Sequence, residues 1–411
     1  MEGLKGKTAI KLRKLKGAIK KWKMEDGIFL ERSIVECENR IKAIDDISEN
    51  RKLTELEIEE LKQLNIEVSE SIKLKESIWR QNSRMTWLKE WDVNNAFFHR
   101  AVKIKAKRKM VLSLKIGNRN IKDPKEMKEG LVNYFKNYFG CSVRRWKMGV
   151  DLKFKLISEE SARKLEAPFL MEEINEAVWS CDESKAPGLD GFNLCFYRKC
   201  LEIVKHDLLG LMPDFFTFGK LEKSINSSFI TLIPKVENLT GISEFRPICL
   251  VSSLYKIVSK VLSRRLREVV GEVVSETQCA FIKGRQIFGG ILIANELIHS
   301  VMKRNSCGGK LVFKLDFSKA YDCVRWDFLE LVLSKMGFGE KWRSWMLECL
   351  STARGAVIIN GSSSNEFRFC RGLKQRDPLS PFLFILVTEV LHLALDKASE
   401  EGLIKGFNDV I

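Results

Sequence analysis

Apolar positions along the chain follow two periods in alternation. Up to about residue 78 they recur at helical spacing among charged residues, where Leu53, Leu56, Ile58, Leu61 and Leu64 form a seam beside Glu55, Glu59, Glu60 and Lys62. Side chains three and four apart share one helix face, so this stretch predicts a helical hairpin or a short coiled segment. Between 311 and 316 the period becomes two, with Leu311, Phe313 and Leu315 alternating with Val312, Lys314 and Asp316. That alternation predicts a strand buried on at least one face that delivers a carboxylate at its end. From Phe328 the helical period returns, placing Leu329, Val332, Leu333 and Met336 on one face.

The intervening chain mixes both patterns. An amphipathic helix is predicted around 127–139. A β-rich run at 229–235 is closed by Pro234, and a second follows at 244–248. After them Tyr255, Ile257, Val258, Val261, Leu262 and Leu266 mark a helix whose other face carries Lys256, Lys260, Arg264, Arg265 and Arg267. Two strands, 354–360 and 366–370, are joined through Asn360-Gly361 by a loop expected to exceed two residues. Pro381 suits the first turn of a helix running through 382–395. The class is therefore α+β.

Charge narrows the choice of partner. Lys and Arg total 70 against 54 Asp and Glu, a net charge of +16, which favours a polyanion. Arg100, Lys103, Lys105, Lys107, Arg108 and Lys109 lie in an acid-free run from 100 to 119, just after Trp87 and Phe97-Phe98. Cations beside aromatics suit nucleic acid, whose phosphates pair and whose bases stack. The longest apolar run, 382–387, is too short to span a bilayer, and a charged N-terminus lacks a secretory core. The eleven cysteines include no Cys-x-x-Cys pair and read as reduced thiols of an intracellular protein. None of the four histidines stands at zinc-site spacing from a cysteine. A strand that presents Asp316 and turns into a helix is one way to hold a divalent cation against phosphate, since hard cations take oxygen ligands.

The run Lys-Leu-Asp-Phe-Ser-Lys-Ala-Tyr-Asp at 314–322, with Val324 and Trp326 beyond it, resembles motif A of the reverse transcriptases of LINE-type (non-LTR) retrotransposons. Further motifs stand in that family's order. Lys185-Ala-Pro-Gly-Leu-Asp-Gly191 resembles the fingers motif Lys-Ala-Pro-Gly-Pro-Asp-Gly. Gln278, Ala280, Phe281, Ile282, Gly284, Arg285 and Ile287 match the next. Residues 371–381 match motif B, Arg-Gly-Leu-x-Gln-Gly-Asp-Pro-Leu-Ser-Pro, with Arg376 where the family has Gly. Trp87-Leu88-Lys89-Glu90 and Phe97-Phe98-His99 are similar to the linker of plant-type members, with Trp91, Asn95 and Ala96 at the positions of its Gly, Thr and Lys.

That resemblance implies a right-hand polymerase: a helical spacer over 1–78, a basic linker region over 79–160, fingers over 161–300 and a partial palm over 301–411. It implies RNA-directed DNA synthesis with an RNA template, a DNA primer or target, deoxynucleotides and Mg²⁺ as partners, no membrane, and an intracellular location, nuclear or cytoplasmic, with the family favouring nuclear. Asp316 with the Phe317 carbonyl would hold metal, Tyr321 would gate the sugar, and Gln375 would position the base pair. Lys235 and Arg246 would meet triphosphate, and Arg285 the template backbone. The family's aromatic-Ala-Asp-Asp hairpin, its endonuclease and its thumb have no match in these 411 residues, which therefore read as truncated at both ends. One Asp cannot clamp two metals, and Arg376 is expected to obstruct the nucleotide where glycine would leave room. The expectation for this polypeptide is an inactive reverse transcriptase. The alternatives are a non-catalytic RNA- or DNA-binding remnant and an unstable pseudogene product.

Overall fold

The computed structural model describes residues 7–83, 100, 103–104, 110–140, 149, 151–183, 185–235, 241–303, 312–317 and 319–405. Two units are distinguished: Ile10–Leu112, and Met1–Ala9 together with Ser113–Ile411.

The first unit is built on two long helices, α1 (Lys7–Asn50) and α2 (Glu55–Ser83). Thr54 and Glu57 start α2 with a reciprocal cap: Thr54 Oγ1 accepts from the Glu57 amide at 3.4 Å, and the Glu57 carboxylate accepts from the Thr54 amide at 2.8 Å. Arg51 grips the same carboxylate, and its hydrogen bond with that of Thr54 lowers the Glu57 carboxyl to about 2. Three contacts fix an antiparallel register between the helices. Arg40 forks onto Glu60 at 2.7 and 3.0 Å, Ser33 Oγ donates to Glu67 at 3.0 Å, and Lys75 lies 3.6 Å from Glu31. Exposed pairs of this kind add little stability each, and Cys37 and Ile44 are buried apolar residues of α1 in the same stretch. Leu53, Leu61 and Leu64 turn inward as the seam predicts, but Leu56 is 84% exposed and Ile58 also faces solvent. Both flank Glu57, which holds the inner position at that level.

In the second unit, β1 (Leu114–Ile116) and β2 (Arg119–Ile121) form a small hairpin that leads into α3 (Pro124–Tyr138). Asp123 caps α3, its carboxylate accepting from the amides of Lys125 and Glu126 at 2.9 Å. Short helices follow: α4 (Glu159–Leu165), α5 (Met171–Ser180), α6 (Leu194–Lys199), and the longer α7 (Leu201–Phe218). Strands β3 (Ser227–Pro234) and β4 (Phe245–Val251) pair antiparallel. Helix α8 (Ser253–Val273) comes next, then α9 (Ile287–Lys303), α10 (Trp326–Lys335) and α11 (Glu340–Ser351). Strand β5 (Arg354–Ile359) runs parallel to β3, and the short β6 (Ser362–Ser363) and β7 (Phe367–Arg368) pair antiparallel with β5. Helix α12 (Ser380–Glu400) follows. The sheet order is β4-β3-β5-β6, a mixed sheet in an α+β unit.

Helix α8 is the centre of the core. Its apolar residues from Leu254 to Val273 are buried around nearly the whole helix, the pattern of a helix enclosed by other elements rather than lying on a surface. Ser252 starts it by accepting from the Tyr255 amide at 3.2 Å.

Three expectations change. Residues 312–317 form no strand: they are irregular, and Phe313 is 75% exposed. A strand needs a ladder partner, and among the described residues none runs beside this segment. Asn360-Gly361, with φ of 47° and 79°, is itself the whole turn between β5 and β6, because Ile359 pairs with Ser362. Left-handed backbone at both central positions makes it a two-residue turn of the I′ kind. Cys370, finally, is disulfide-bonded, whereas eight other described cysteines are free thiols.

Candidate functional site

Two stretches far apart in sequence, 321–326 and 371–375, are zipped together. The Leu373 amide donates to the Tyr321 carbonyl at 2.8 Å and the Gly372 amide to the Val324 carbonyl at 2.7 Å. Trp326 Nε1 donates to the Gly372 carbonyl at 2.9 Å, and Gln375 Nε2 to Asp322 Oδ1 at 3.2 Å. Gly372 has φ of +86°, and a Cβ there would come within 3.0 Å of the Asp322 carbonyl oxygen, so only glycine permits this approach.

Asp322 is the pivot. It is 6% exposed, and Tyr138 Oη donates to its Oδ2 at 3.0 Å. Burial pushes the Asp322 carboxyl above its usual value, while the hydrogen bonds from Tyr138 and Gln375 pull it back. Helix α3 thereby becomes part of the site, and the Tyr138 carbonyl also accepts from Arg371 Nε at 2.8 Å. Reading the sequence missed Tyr138. Its partner lies 184 positions away, and beside Tyr134 and Phe135 it reads as one more aromatic on a helix face.

Beneath the turn that carries Gln375 sits a buried ionic group. Asp377 accepts from Tyr255 Oη at 3.0 Å, from Ser259 Oγ and from the Leu379 amide at 3.4 Å. Lys374 donates to Asn226 Oδ1 and places its ammonium 3.8 Å from the centre of the Tyr255 ring. Burial depresses the Lys374 ammonium to about 8 and raises the Asp377 carboxyl, each partner's charge partly opposing the shift. The turn is thus riveted to α8. Arg376, between the two, has φ of 71° and is exposed. The backbone here has the left-handed form that glycine adopts freely. Its guanidinium lies in the field of Lys256, whose ammonium is lowered by burial and further by Lys185 and Arg376. The loop bearing Lys185 is docked there by Asp190, whose Oδ2 accepts from the Ser253 amide at 2.9 Å.

The remaining candidates are placed as follows. Asp316 and Phe317 are exposed and stand at the rim of a mainly apolar groove of about 780 Å³ that also includes Val324, Phe328, Phe384 and Leu391. Tyr321 is half-buried, its ring 5.0 Å from that of Phe384, and burial raises its phenol. Arg246 pairs across the β3–β4 ladder with Ile233, and the Lys235 amide donates to the Glu244 carbonyl at 3.0 Å. Both side chains are exposed at the same end of the hairpin, Lys235 Nζ donating to the Ser243 carbonyl at 3.1 Å. Arg285 directs its guanidinium to the backbone carbonyls of Ser275, Gln278 and Gly271, so it organises its own turn. Arg100 and Lys103 are exposed, whereas Lys105, Lys107, Arg108 and Lys109 lie outside the described residues. No cluster of three His, Cys, Asp or Glu able to hold a metal occurs among the described residues. Asp322 and Asp377 are committed to internal hydrogen bonds, so Asp316 brings a single carboxylate and does not by itself fit a two-metal centre.

Residues 233–405 match the family model described as reverse transcriptase (RNA-dependent DNA polymerase). The chain is 29% identical over 319 residues to a Xenopus laevis protein named transposon TX1 uncharacterized 149 kDa protein, an alignment covering 77% of this chain and 24% of that protein. It is 30% identical over 240 residues to a retrovirus-related Pol polyprotein from the type-1 retrotransposable element R2 of Popillia japonica, covering 57% of this chain and 32% of that one. A stretch of 49 residues is 51% identical to the uncharacterized mitochondrial protein AtMg01250 of Arabidopsis thaliana, covering 12% of this chain and 40% of that one. The stretch 233–405, which holds the β3–β4 hairpin, α8 and the zipped segments, is thus similar to reverse transcriptases. These relatives are named as transposon and retrotransposable-element proteins, and this chain spans about a quarter to a third of the length of the TX1 and R2 proteins. Among the described residues no helix is long and apolar enough to cross a membrane.

Proposed function

We propose that this chain is the template- and nucleotide-engaging part of an RNA-directed DNA polymerase. Its β3–β4 hairpin and α8 would act as fingers, and residues 312–405 as palm. The observation that carries the reading is the bonding of 321–326 to 371–375, in which Leu373 donates to the Tyr321 carbonyl and Gln375 to Asp322. In this assignment Gln375 faces the forming base pair while Asp322, held by Tyr138, fixes its amide. Tyr321, stacked near Phe384, lies under the sugar. The exposed Lys235 and Arg246 at one hairpin end offer two cations to a triphosphate, a charge-assisted contact. A divalent cation, Mg²⁺ in this reading, would bind Asp316 and the Phe317 carbonyl and neutralise phosphate charge. RNA template, DNA primer and deoxynucleotides are the matching partners.

We further propose that the 411-residue polypeptide retains nucleic acid without extending a primer. Among the described residues no group of three His, Cys, Asp or Glu able to hold a metal forms at Asp316, and Arg376 stands where close approach of a nucleotide favours glycine. The test is primer extension on an RNA template with Mg²⁺ and deoxynucleotides, beside an Asp316→Ala control, with retention of the labelled template-primer measured in parallel. Retention without extension is expected. Extension that disappears in the control would refute the inactivity, and absence of retention by the folded chain would refute the assignment itself.

A further inference from the structure

The first half of α1 is unlike the rest of the helical hairpin. Lys11, Arg13, Lys14, Lys16, Lys20, Lys21 and Lys23 fall within thirteen residues that contain no acid. Residues 31–70, at the other end of the hairpin, carry twelve acids against six bases. The arm is therefore bipolar, with a cationic end and an anionic tip. Six of those seven cations are exposed, and Lys21 lies 3.9 Å from Glu25.

At about 100° per residue, Leu12, Leu15, Ile19 and Trp22 fall within roughly 80° of one another, and the cations occupy the rest of the circumference, bordering the stripe on both sides. Leu12 is buried, which leaves Leu15, Ile19 and a Trp22 that is 61% exposed. A helix lying in a membrane interface needs a broader apolar face, with its cations confined opposite. This one instead surrounds a single exposed indole with positive charge. That combination suits a single strand, where cations track phosphates and an aromatic ring receives a base whatever its identity. Thirteen helical residues span about 20 Å, a length over which a strand at about 3.4 Å per phosphate offers roughly six charges, close to the number of cations. The acidic tip would repel the same polyanion and so confine it to the basic end.

We infer that residues 11–23 of α1 form a second nucleic-acid site, which holds single-stranded RNA or DNA by its phosphates with Trp22 as a stacking platform. This site does not depend on the polymerase reading.

The experiment uses the full chain in EDTA without nucleotides, so that polymerase chemistry has no bearing on it. Fluorescence anisotropy with labelled 20-nucleotide RNA and DNA strands gives the dependence of affinity on salt. A variant combining Lys14→Gln, Lys20→Gln, Lys21→Gln and Lys23→Gln should make the log–log salt slope shallower by about 2 to 3, at roughly 0.7 per phosphate contact on a single strand. Trp22→Ala should weaken binding about tenfold with the slope kept. Equal effects on both strands assign the site to phosphate and stacking alone, and a larger effect on RNA adds recognition of the ribose. Circular dichroism of both variants should match the parent. An unchanged slope in the quadruple variant would overturn the proposal. So would a loss seen only with anionic vesicles, or only in self-association of the free chain by sedimentation.

Discussion

The buried charges of Lys374 and Asp377, which act on each other electrostatically rather than through a direct ion pair, give the sharpest stability test of this architecture. The two residues are 5% and 4% exposed. Asp377→Asn keeps an acceptor for Tyr255 and Ser259 but leaves the Lys374 ammonium without its counter-charge, and Lys374→Met leaves the Asp377 carboxylate in the same position. Leaving one buried charge without its counter-charge costs at most the roughly 3–5 kcal/mol of breaking a direct buried pair. Removing both charges together avoids that uncompensated desolvation, so the double variant should be less destabilised than the sum of the singles by about 2 kcal/mol or more. Urea unfolding at pH 7, followed by the fluorescence of the buried Trp342 and Trp345, measures each corner of the cycle. The pH dependence has a definite sign. Lys374 titrates near 8 in the fold against 10.5 for an ordinary lysine, so its favourable contribution, that of the neutral amine, is complete above 10.5 and is lost as pH falls through 8. Converted at about 1.4 kcal/mol per pH unit, the span is roughly 3 kcal/mol, and Lys374→Met should abolish it. Additivity of the two single variants within about 0.5 kcal/mol, or an unchanged pH profile in Lys374→Met, would refute the reasoning.

Other substitutions probe the neighbouring contacts. Arg376→Gly should stabilise the fold by about 1 kcal/mol by relieving a left-handed non-glycine residue, which the urea midpoint would register; a fall in midpoint contradicts the strain. Tyr138→Phe removes one hydrogen bond from buried Asp322 and should cost about 1–3 kcal/mol. Because burial raises the Asp322 carboxyl above 3.8, its favourable contribution is complete below that value and is lost as pH rises through the folded pKa. Tyr138→Phe should carry that loss to higher pH, and Asp322→Asn should eliminate it, as acid-range unfolding curves would reveal. Gly372→Ala should destabilise by at least about 1 kcal/mol, combining positive φ with a clash against the Asp322 carbonyl, and should be worse than Gly361→Ala, where positive φ acts in open space.

What the sequence revealed and what it withheld divide along a physical line. Period and turn chemistry are local, so the β3–β4 hairpin, helix α8, the helix α10 after Trp326 and the start of α12 at Pro381 could all be read from neighbouring residues, though not that α8 is enclosed. The motif spacing likewise singled out Gln375, which the fold bonds to Asp322, the residue after Tyr321. Failure came where a long-range partner decides. Alternation at 311–316 describes a residue order that a strand would use, but a strand exists only beside another strand, and the described chain supplies none there. The same limit hid Tyr138 and the Lys374–Asp377 pair, since no local rule ties a helix-face phenol to a carboxylate 184 residues later or marks a lysine in a polar loop as buried. Arg376 shows the converse. Its substitution for the family's glycine was plain in the sequence, and the structure adds that the backbone kept the glycine-like φ of 71°. The turn geometry is therefore imposed by the Asp377 and Gly372 contacts on either side rather than by the residue between them, which is why restoring glycine there should relieve strain without moving the turn.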